Sequence, residues 1–523
     1  MLPANDMFRS FVRWMYSCQC RRTGSRNGKF GCCWFVFVAV ATLLFLTWKF
    51  IWTSVYNSRD DMNTKVFEKF NKWVNWFMVV SIISAVLAIY SSLLLLFALI
   101  QYFLKEPLQL HCVHKVMLCV GLLIVFAGIA GMTWEWKIEW PTVLLFLKFT
   151  APFLQLGGVV ALTLLSWLVF QSYHQGRRRA SKIIIVVTFV ALTAVVYLSP
   201  LLINSPCVLV KGTLPFKPAL VGHRGAPMMA PENTMMSFVR SLECNVTAFE
   251  TDVQLSKDRI PILMHDKSLT RTTNVQEVYR ENKAYNSSSF TLEELHGLNA
   301  GKWFVENNPF HTVSLLSEED KIEAQNQTVP SLAELLKLAK EHNISVIFDL
   351  KHEDSDDNER PAVIDIINRS GISPHLIWWL PSTNRAQVKA IAPFFRQVYS
   401  NVSEMKKDGG NQLNVKYTHL DTIEIREREN NVSVNMWVVN ERWLFSLLWC
   451  SGVSSATTNS CHVFKNMSQP DWQLDPNTYK IIWIAADLLS LLLMCGIFCL
   501  HRNREPRKHA VPDDLLHPLN VLH

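Results

Sequence analysis

Residues 219–225 read Ala-Leu-Val-Gly-His-Arg-Gly, an apolar run that ends in charged and polar side chains. Residues 248–253 (Ala-Phe-Glu-Thr-Asp-Val) and 345–351 (Ser-Val-Ile-Phe-Asp-Leu-Lys) also combine apolar residues with acidic ones. Short runs rich in β-branched and aromatic residues are typical of buried strands. Outward from these runs, the sequence predicts eight strands. They lie at residues 219–222, 248–253, 260–264, 345–350, 376–380, 396–400, 434–439 and 453–457.

Helical patterns lie between several of these strands, and residues 331–342 give the clearest one, with leucines at helical spacing. Alternation of strands and helices favours a parallel sheet. The segment 204–477 contains 274 residues, close to the roughly 250 that are typical of a (β/α)₈ TIM barrel. The sequence therefore predicts a TIM barrel over residues 204–477. The interval 267–329 is too long for a strand–helix connection and predicts an insertion over the mouth of the barrel.

Acidic side chains stand on two of the predicted strands. Glu250 and Asp252 are two residues apart, so they share one face of their strand. Two inward carboxylates at that distance repel each other unless a cation neutralises them. A hard divalent cation suits oxygen ligands, and Asp349 at the end of another strand would supply a third. The sequence predicts a metal site at Glu250, Asp252 and Asp349.

Histidines and cationic side chains follow the same predicted strands. His223 and His265 suit proton transfer near neutral pH, one toward the nucleophile and one toward the leaving alkoxide. Arg224 and Lys351 would face an anion bound to the metal. The guanidinium of an arginine can bind two phosphate oxygens at once, and a lysine contributes a positive charge. A single histidine at a strand end is more often structural. The joint pattern favours a catalytic site for a phosphate ester.

Two acidic residues near these motifs are better explained by structure. Asp266 is predicted to fix a loop or a neighbouring ring. Glu232 is predicted to belong to the start of the first barrel helix, where Asn233 or Thr234 would act as the cap.

The composition indicates a membrane protein. Hydrophobic residues make up 49% of the 523 residues and charged residues 18%, against roughly 25% charged in a soluble domain. A membrane-spanning helix needs about 20 mostly apolar residues, and six runs reach about that length. We therefore predict five membrane helices within residues 32–203 and a sixth at 481–500. The runs are 32–52, 76–103, 116–134, 149–170, 183–203 and 481–500.

Basic residues concentrate beside these apolar runs, in segments 1–31, 174–182 and 501–523. Positive flanks favour the cytosol, so both termini are predicted to be cytosolic and residues 204–477 extracellular, at the plasma membrane. The same flanks account for the net charge of +7 without a nucleic-acid partner. All eight Asn-x-Ser/Thr glycosylation sequences lie within 204–477, in agreement with this orientation.

The cysteines divide in the same way. The outer segment has four, an even number in a compartment where disulfides persist, and three pairings are possible: Cys207, Cys244, Cys450 and Cys461. Four more lie near the cytosolic side of the first run, where palmitoylation and plain reduced thiols are the alternatives: Cys18, Cys20, Cys32 and Cys33.

The order and spacing of the motifs resemble the glycerophosphodiester phosphodiesterase family, in its six-pass membrane branch. The motifs are His-Arg-Gly-Ala-Pro at 223–227, Pro-Glu-Asn-Thr at 231–234, Glu-Thr-Asp-Val at 250–253, His-Asp at 265–266, Asp-Leu-Lys at 349–351 and Trp-Val-Val-Asn at 437–440. They span residues 219–460, and the membrane layout extends the resemblance over nearly the whole chain.

This resemblance implies a TIM barrel with a cap insertion that hydrolyses glycerophosphodiesters to an alcohol and a phosphomonoester. The implied site comprises catalytic His223 and His265, metal ligands Glu250, Asp252 and Asp349, and phosphate contacts Arg224 and Lys351, with Ca²⁺ or Mg²⁺ as the ion. Asp349 stands where many members have glutamate, and its shorter stem would shift the metal or add a water. Trp437 and Asn440 are candidates for substrate contact, although for Trp437 the residue type favours core packing at least as much.

Substrate and function class stay open at this point. Related multi-pass members act on glycerophosphoinositol, glycerophosphocholine or glycosylphosphatidylinositol (GPI) anchors. A catalytically silent receptor or adhesion module on the same barrel is an alternative, but the intact histidine, carboxylate and cation positions disfavour it. A transporter is disfavoured by the few ionisable residues in the apolar runs and the lack of an evident inverted repeat. The sequence does not determine the oligomeric state.

Overall fold

The computed structural model describes residues 4–18, 31–70, 72–104, 106–135, 140–175, 179–280, 285–351, 359–423 and 431–504. Much of the basic N-terminal segment, with Cys20, and the tail from residue 505 lie outside the described residues. The chain forms two compact units. One comprises Met1–Phe146 with Leu214–Trp472, and the other comprises Leu147–Thr213 with Gln473–His523.

Six helices among the described residues are long and apolar enough to span a membrane, as the sequence predicts. They are Cys33–Phe70, Trp76–Phe103, Cys112–Trp134, Trp140–His174, Lys182–Leu202 and Pro476–Asn503. Large apolar side chains such as Leu123 and Leu164 are exposed on their outer faces. Exposed apolar surface of this extent is unfavourable in water and suits a lipid environment.

The first of these helices is longer than a bilayer requires. The apolar helix Gly31–Ser54 continues through a 3₁₀ turn, Val55–Ser58, into the polar helix Arg59–Phe70. About 20 residues suffice to cross the hydrocarbon region, and Arg59–Phe70 carries acidic and basic side chains along its length. We call residues 55–70 the juxtamembrane segment.

Close packing joins the membrane helices of the first unit. Phe45 and Trp48 face Gly121 and Gly128, where a Cβ atom would approach the aromatic rings to 2.7 Å and 2.5 Å. Small residues of this kind allow helices to pack closely in lipid, where burial from water gives no driving force.

The membrane helices of the second unit meet through hydroxyl groups. The hydroxyl of Thr163 lies 2.6 Å from that of Ser490, and the Tyr197 hydroxyl donates to Ser490 Oγ at 2.7 Å. Trp483 Nε1 donates to the carbonyl oxygen of Tyr197 at 2.8 Å. These bonds satisfy polar groups that lipid would leave without partners.

The polar middle of the chain is a nearly closed barrel of eight parallel strands, which confirms the predicted TIM barrel. The strands are β1 Ala219–His223, β2 Ala248–Leu255, β3 Pro261–Leu263, β4 Ser345–Leu350, β5 Ile377–Trp379, β6 Arg396–Gln397, β7 Gln412–Lys416, β8 Ser433–Trp437 and β9 Ser455–Thr458. The order in the barrel is β6-β5-β4-β2-β1-β9-β8-β7, and a parallel bridge between Tyr399 and Leu413 connects the end of the β6 region to β7.

Two features of the predicted strand set are wrong. The predicted strand 260–264 is β3, which pairs antiparallel with β2 and lies outside the barrel order. Because β2 extends to Leu255, beyond its parallel neighbours, β3 pairs with the end of β2 as a hairpin. The missing barrel strand is β7, whose sequence Gln-Leu-Asn-Val-Lys is too polar to resemble a buried strand. Its Asn414 is nevertheless buried, because Asn435 Nδ2 on β8 donates to its oxygen at 2.8 Å.

Amphipathic helices cover the barrel: Met235–Glu243, Leu332–His342, Glu359–Ser370, Arg385–Ile391, Val402–Lys407, Arg442–Cys450 and Cys461–Phe464. Thr234 caps the first by accepting a hydrogen bond from the backbone of Ser237, as predicted. In Leu332–His342, the leucines at helical spacing include Leu335 and Leu336, which are fully buried. Burial of this stripe is the main reason that the helix forms here.

The insertion 267–329 has helices of its own: Val275–Val278, Leu292–His296, Lys302–Asn307 and Glu318–Gln325. Leu269, Phe290 and Leu295 form a small core with Ile262 of β3. The insertion is thus anchored on the hairpin that β2 and β3 form.

A disulfide bond between Cys244 and Cys461 joins the end of helix Met235–Glu243 to helix Cys461–Phe464. It closes a sequence separation of 217 residues. Removal of a disulfide that closes a long loop typically costs about 2–4 kcal/mol of unfolding free energy.

We expect the double variant Cys244→Ala with Cys461→Ala to lose about 2–4 kcal/mol of unfolding free energy. The measurement is the thermal midpoint of the full chain in detergent, which should fall. Cys495→Ala, which removes an exposed free thiol, serves as the control and leaves the midpoint unchanged. An unchanged midpoint in the double variant would contradict a stabilising role for this bond.

Candidate active site

A cavity of about 440 Å³ opens at the C-terminal ends of the barrel strands. Every residue that the sequence predicts for the site lines it: His223, Arg224, Glu250, Asp252, His265, Asp349, Lys351, Trp437 and Asn440. The insertion contributes to a neighbouring cavity instead. Arg271, Trp303 and Phe310 line that second cavity, which shares His223 and His265 with the first.

A sharp turn after β1 positions the first motif. Arg224 and Gly225 both have positive φ angles, 53° and 86°. A Cβ atom at Gly225 would lie 2.5 Å from Ser237 Oγ, so glycine is required there. The Ser237 hydroxyl donates to the Arg224 carbonyl oxygen at 2.9 Å and accepts from the Ala226 backbone at 2.8 Å. The turn therefore directs both His223 and Arg224 toward the rim.

Three carboxylates converge in the cavity. Glu250 and Asp252 lie on β2, and the β2–β4 register places Asp252 opposite Asp349. One oxygen from each lies within 4.8 Å of the others. Burial and the neighbouring Asp252 raise the pKa of Glu250 to about 8. Negative charges held this close together are unfavourable unless a cation neutralises them, and carboxylate oxygens are the ligands that hard divalent cations prefer.

Two cationic side chains compensate part of this charge. Lys351 Nζ lies 2.8 Å from Asp252 Oδ1 and 2.5 Å from Asp349 Oδ2, and Arg224 Nε lies 3.1 Å from Asp252 Oδ2. Burial alone would raise the pKa of Asp252, but Arg224 and Lys351 bring it well below the usual value. Both predicted phosphate contacts are thus paired with carboxylates in this structure, at the edge of the same cavity.

His265 is held by its neighbour in sequence. Its Nδ1 lies 2.6 Å from Asp266 Oδ1, which confirms the prediction that Asp266 fixes a neighbouring ring. Because an ionised carboxylate can only accept, Nδ1 carries the proton and Nε2 is the nitrogen left for chemistry. Burial would raise the pKa of Asp266, but Arg271 and His265 together lower it.

His223 is bonded to a residue that the sequence analysis does not single out. Its Nδ1 lies 2.6 Å from Asn459 Oδ1, and its Nε2 lies 3.9 Å from Glu250 Oε2. Burial and the Arg224 charge lower the pKa of His223 to about 3, so the ring is neutral. Asn440, a candidate for substrate contact, accepts from the Asn459 backbone at 2.9 Å and so positions that residue.

Glu232 lies at the entry of helix Met235–Glu243, two residues before the cap Thr234, as predicted, but it also forms ion pairs that the sequence does not indicate. It accepts a hydrogen bond from Arg224 Nη1 at 2.9 Å and two from Arg271, at 2.9 Å and 2.6 Å. Arg271 also donates to Asp266, so one buried guanidinium joins the two carboxylates. Burial would raise the pKa of Glu232, but Arg271 and Arg224 lower it to about 2. Glu232 therefore anchors Arg224.

Comparison of the sequence with known proteins identifies the family of this chain. Residues 223–370 match the sequence model of the Glycerophosphoryl diester phosphodiesterase family. The chain is 40% identical to Glycerophosphoinositol inositolphosphodiesterase GDPD2 of Mus musculus over 95% of each chain. This chain belongs to the glycerophosphodiester phosphodiesterase family. It is an enzyme of the phosphoric diester hydrolase class.

Other glycerophosphodiester phosphodiesterases are similar at lower identity. Glycerophosphodiester phosphodiesterase domain-containing protein 5 of Homo sapiens is 38% identical over 90% of this chain and 79% of its own length. A solved phosphodiesterase structure from Oleispira antarctica, in complex with the product sn-glycerol-3-phosphate, matches 48% of this chain and 96% of its own, with 20% identity and a TM-score of 0.39.

Several residues of this phosphodiesterase site carry no clear signal in the sequence. Trp437 is 38% exposed and lines the cavity, so the core-packing alternative is wrong for it. Glu232 lies within the Pro-Glu-Asn-Thr motif, but the motif does not indicate that Glu232 pairs with Arg224 and Arg271. Arg271 and Asn459 belong to none of the motifs, and only the fold brings them to the site.

We expect Glu232→Gln to destabilise the enzyme by about 3–5 kcal/mol, because it leaves two buried guanidinium groups without their shared carboxylate. Phosphodiesterase activity should fall as well, since Arg224 loses its anchor. Thermal unfolding and activity of the full chain are the measurements.

Asp365→Asn is the matched control, because it removes a carboxylate from the exposed Asp365–Arg369 pair on a barrel helix. Its cost should stay below about 1 kcal/mol. Equal effects of the two substitutions would contradict the anchoring role of Glu232.

Proposed function

We propose that this chain is a divalent-metal-dependent phosphodiesterase that hydrolyses glycerophosphodiesters by two-histidine acid–base catalysis. The proposal depends on one observation above all. Oxygens of Glu250, Asp252 and Asp349 lie within 4.8 Å of one another in the cavity that also contains His223 and His265. An arrangement of this kind combines a place for a cation with two groups that can transfer protons.

Glycerophosphoinositol is the first substrate to consider. The similar proteins of Mus musculus and Homo sapiens, each 40% identical to this chain, are both named glycerophosphoinositol inositolphosphodiesterases. Glycerophosphocholine and GPI-linked proteins are the alternatives that the family resemblance offers.

The metal would be held by Glu250, Asp252 and Asp349, with Ca²⁺ and Mg²⁺ as the candidates. When bound, such an ion polarises a phosphoryl oxygen and offsets the charge that gathers there in the transition state. Arg224 and Lys351 already face these carboxylates, so they are placed to bind the remaining phosphate oxygens.

The environments of the two histidines suggest different roles. His223 is neutral, and with its proton on Nδ1 it presents a free Nε2 that can take a proton from the nucleophilic hydroxyl or water. His265 donates from Nδ1 to Asp266, which fixes the ring and leaves Nε2 for the second proton transfer. His265 is therefore suited to give a proton from Nε2 to the leaving alkoxide.

We further propose that the barrel is extracellular, that the protein resides in the plasma membrane and that both termini are cytosolic. The basic flanks and the distribution of the glycosylation sequences support this orientation. The Cys244–Cys461 disulfide supports it independently, because such bonds persist in oxidising compartments.

We expect the full chain in detergent to release a phosphomonoester from glycerophosphoinositol faster than from glycerophosphocholine. A GPI-linked protein in the same panel tests the third substrate. Activity should disappear with a chelator and return with Ca²⁺ or Mg²⁺, because the site then lacks the cation that would polarise the phosphoryl group. His223→Ala should lower kcat by at least about 100-fold.

His342→Ala, at the exposed end of a barrel helix, is the control and should keep wild-type activity. No hydrolysis of any diester by a folded wild type would favour the silent receptor. Activity that survives both the chelator and His223→Ala would refute the mechanism.

A further inference from the structure

The barrel does not form the catalytic cavity alone. Four residues of the juxtamembrane segment line it together with the strand ends: Asn57, Ser58, Asp60 and Asp61. They belong to the same compact unit as the barrel, although they lie far before its first strand in the sequence. The segment that follows the first membrane helix is therefore part of the wall of the active site.

Asn57 fastens this segment to the chain after β8. Its side chain is buried, and its Nδ2 donates to the Val438 carbonyl oxygen at 2.9 Å. Its Oδ1 accepts from the backbone N–H groups of Asn440 at 2.7 Å and Glu441 at 3.2 Å. One amide thus satisfies three backbone groups that lie beyond the end of β8. Because all three bonds go to backbone atoms, Asn57 fixes the path of the chain there.

Two further contacts keep the segment docked on the barrel. Arg59 Nη1 donates to Glu441 Oε1 at 2.5 Å, and the hydroxyls of Ser58 and Tyr417 lie 3.0 Å apart. Tyr417 follows β7 directly, and its side chain is buried. The juxtamembrane segment therefore contacts the ends of two neighbouring strands, β7 and β8, on either side of Asn57 in the sequence of contacts that hold it.

The chain that Asn57 holds leads to one of the two histidines of the cavity. Asn440 Oδ1 accepts from the backbone N–H of Asn459 at 2.9 Å, and the Asn440 carbonyl oxygen accepts from Ser460 Oγ at 2.9 Å. Asn459 Oδ1 in turn lies 2.6 Å from His223 Nδ1. A continuous series of hydrogen bonds thus connects Asn57 to the His223 ring.

We propose that Asn57 is a positioning residue of the active site, which fixes the His223 ring through Asn440 and Asn459. Its own amide is engaged with backbone groups, so it acts on the reaction through these residues and not by touching the substrate. Misplacement of a reacting group by about 1 Å can cost about 100-fold in rate. The first membrane helix thus supplies more than an anchor, because a residue that follows it completes the arrangement around a barrel histidine.

The inference rests on the proposed role of His223 in proton transfer. We expect Asn57→Ala in the full chain to lower kcat for glycerophosphoinositol by about 10- to 100-fold. KM should change by less than about threefold, because Arg224, Lys351 and the three carboxylates stay in place. Wild-type kcat in a folded Asn57→Ala variant would overturn the inference.

Asn299→Ala is the matched control for the loss of an asparagine that ties backbone together. The Asn299 amide also bonds three backbone groups, donating to Gln325 and accepting from Gly301 and Lys302. Asn299 lines neither the catalytic cavity nor its neighbour. Its variant should keep kcat within about twofold of wild type, and a loss equal to that of Asn57→Ala would show that the effect is only structural.

Asn440→Ala tests the path while the juxtamembrane segment stays docked, since the backbone N–H that Asn57 binds is still present. It removes the acceptor of the Asn459 backbone, so kcat should fall by about 10-fold or more with KM little changed. The variant keeps the test decisive if Asn57→Ala fails to fold. Unchanged kcat, or a loss confined to KM as for a residue that only binds substrate, refutes the path.

The double variant of Asn57→Ala with Asn440→Ala gives the sharpest comparison. If Asn57 acts through Asn440, the second substitution should lower kcat by less than about threefold beyond Asn440→Ala alone, because the path is already broken. A merely structural role of Asn57 predicts instead that the two losses multiply, and multiplied losses would count against the proposal.

The wild type measured beside these variants separates this inference from the proposed function. An active wild type with an unaffected Asn57→Ala refutes the positioning role alone. A wild type inactive on every diester refutes both.

Discussion

Mutual repulsion among three neighbouring carboxylates is the constraint on which the site depends. Oxygens of Glu250, Asp252 and Asp349 lie within 4.8 Å of one another, and burial together with the charge of Asp252 raises the pKa of Glu250 to about 8, which is the cost of bringing these groups together. Arg224 and Lys351 relieve the cost at Asp252. A divalent cation would relieve the remainder, which ties metal binding to the chemistry of the cavity.

The parts of the fold near the site serve to place these charges. Parallel strands bring acidic residues from β2 and β4 to one rim, and the glycine turn after β1 directs Arg224 inward. Glu232 and Arg271 extend the network of alternating charges to Asp266 and so to His265. Each histidine thereby has its Nδ1 engaged and its Nε2 available, although their partners differ in charge.

The sequence predicted those features of the fold and the site that local patterns of residues determine. The six apolar runs, the TIM barrel and the nine predicted site residues that line the cavity follow from hydropathy, strand motifs and the family resemblance. β7 was missed because its polar Asn414 finds its partner, Asn435, only on the neighbouring strand β8. Arg271 and Asn459 were missed because their roles arise from contacts between distant segments, and no local spacing records those.

Direct measurement of metal binding tests the central claim. Ca²⁺ and Mg²⁺ would be titrated calorimetrically into the chelator-treated full chain in detergent, beside Asp349→Asn and the control Asp365→Asn. The account predicts one site per chain in the wild type and the control, with affinity at least about tenfold weaker in Asp349→Asn, because an oxygen ligand loses its charge. Undetectable binding in the wild type, or equal binding by all three proteins, would contradict it.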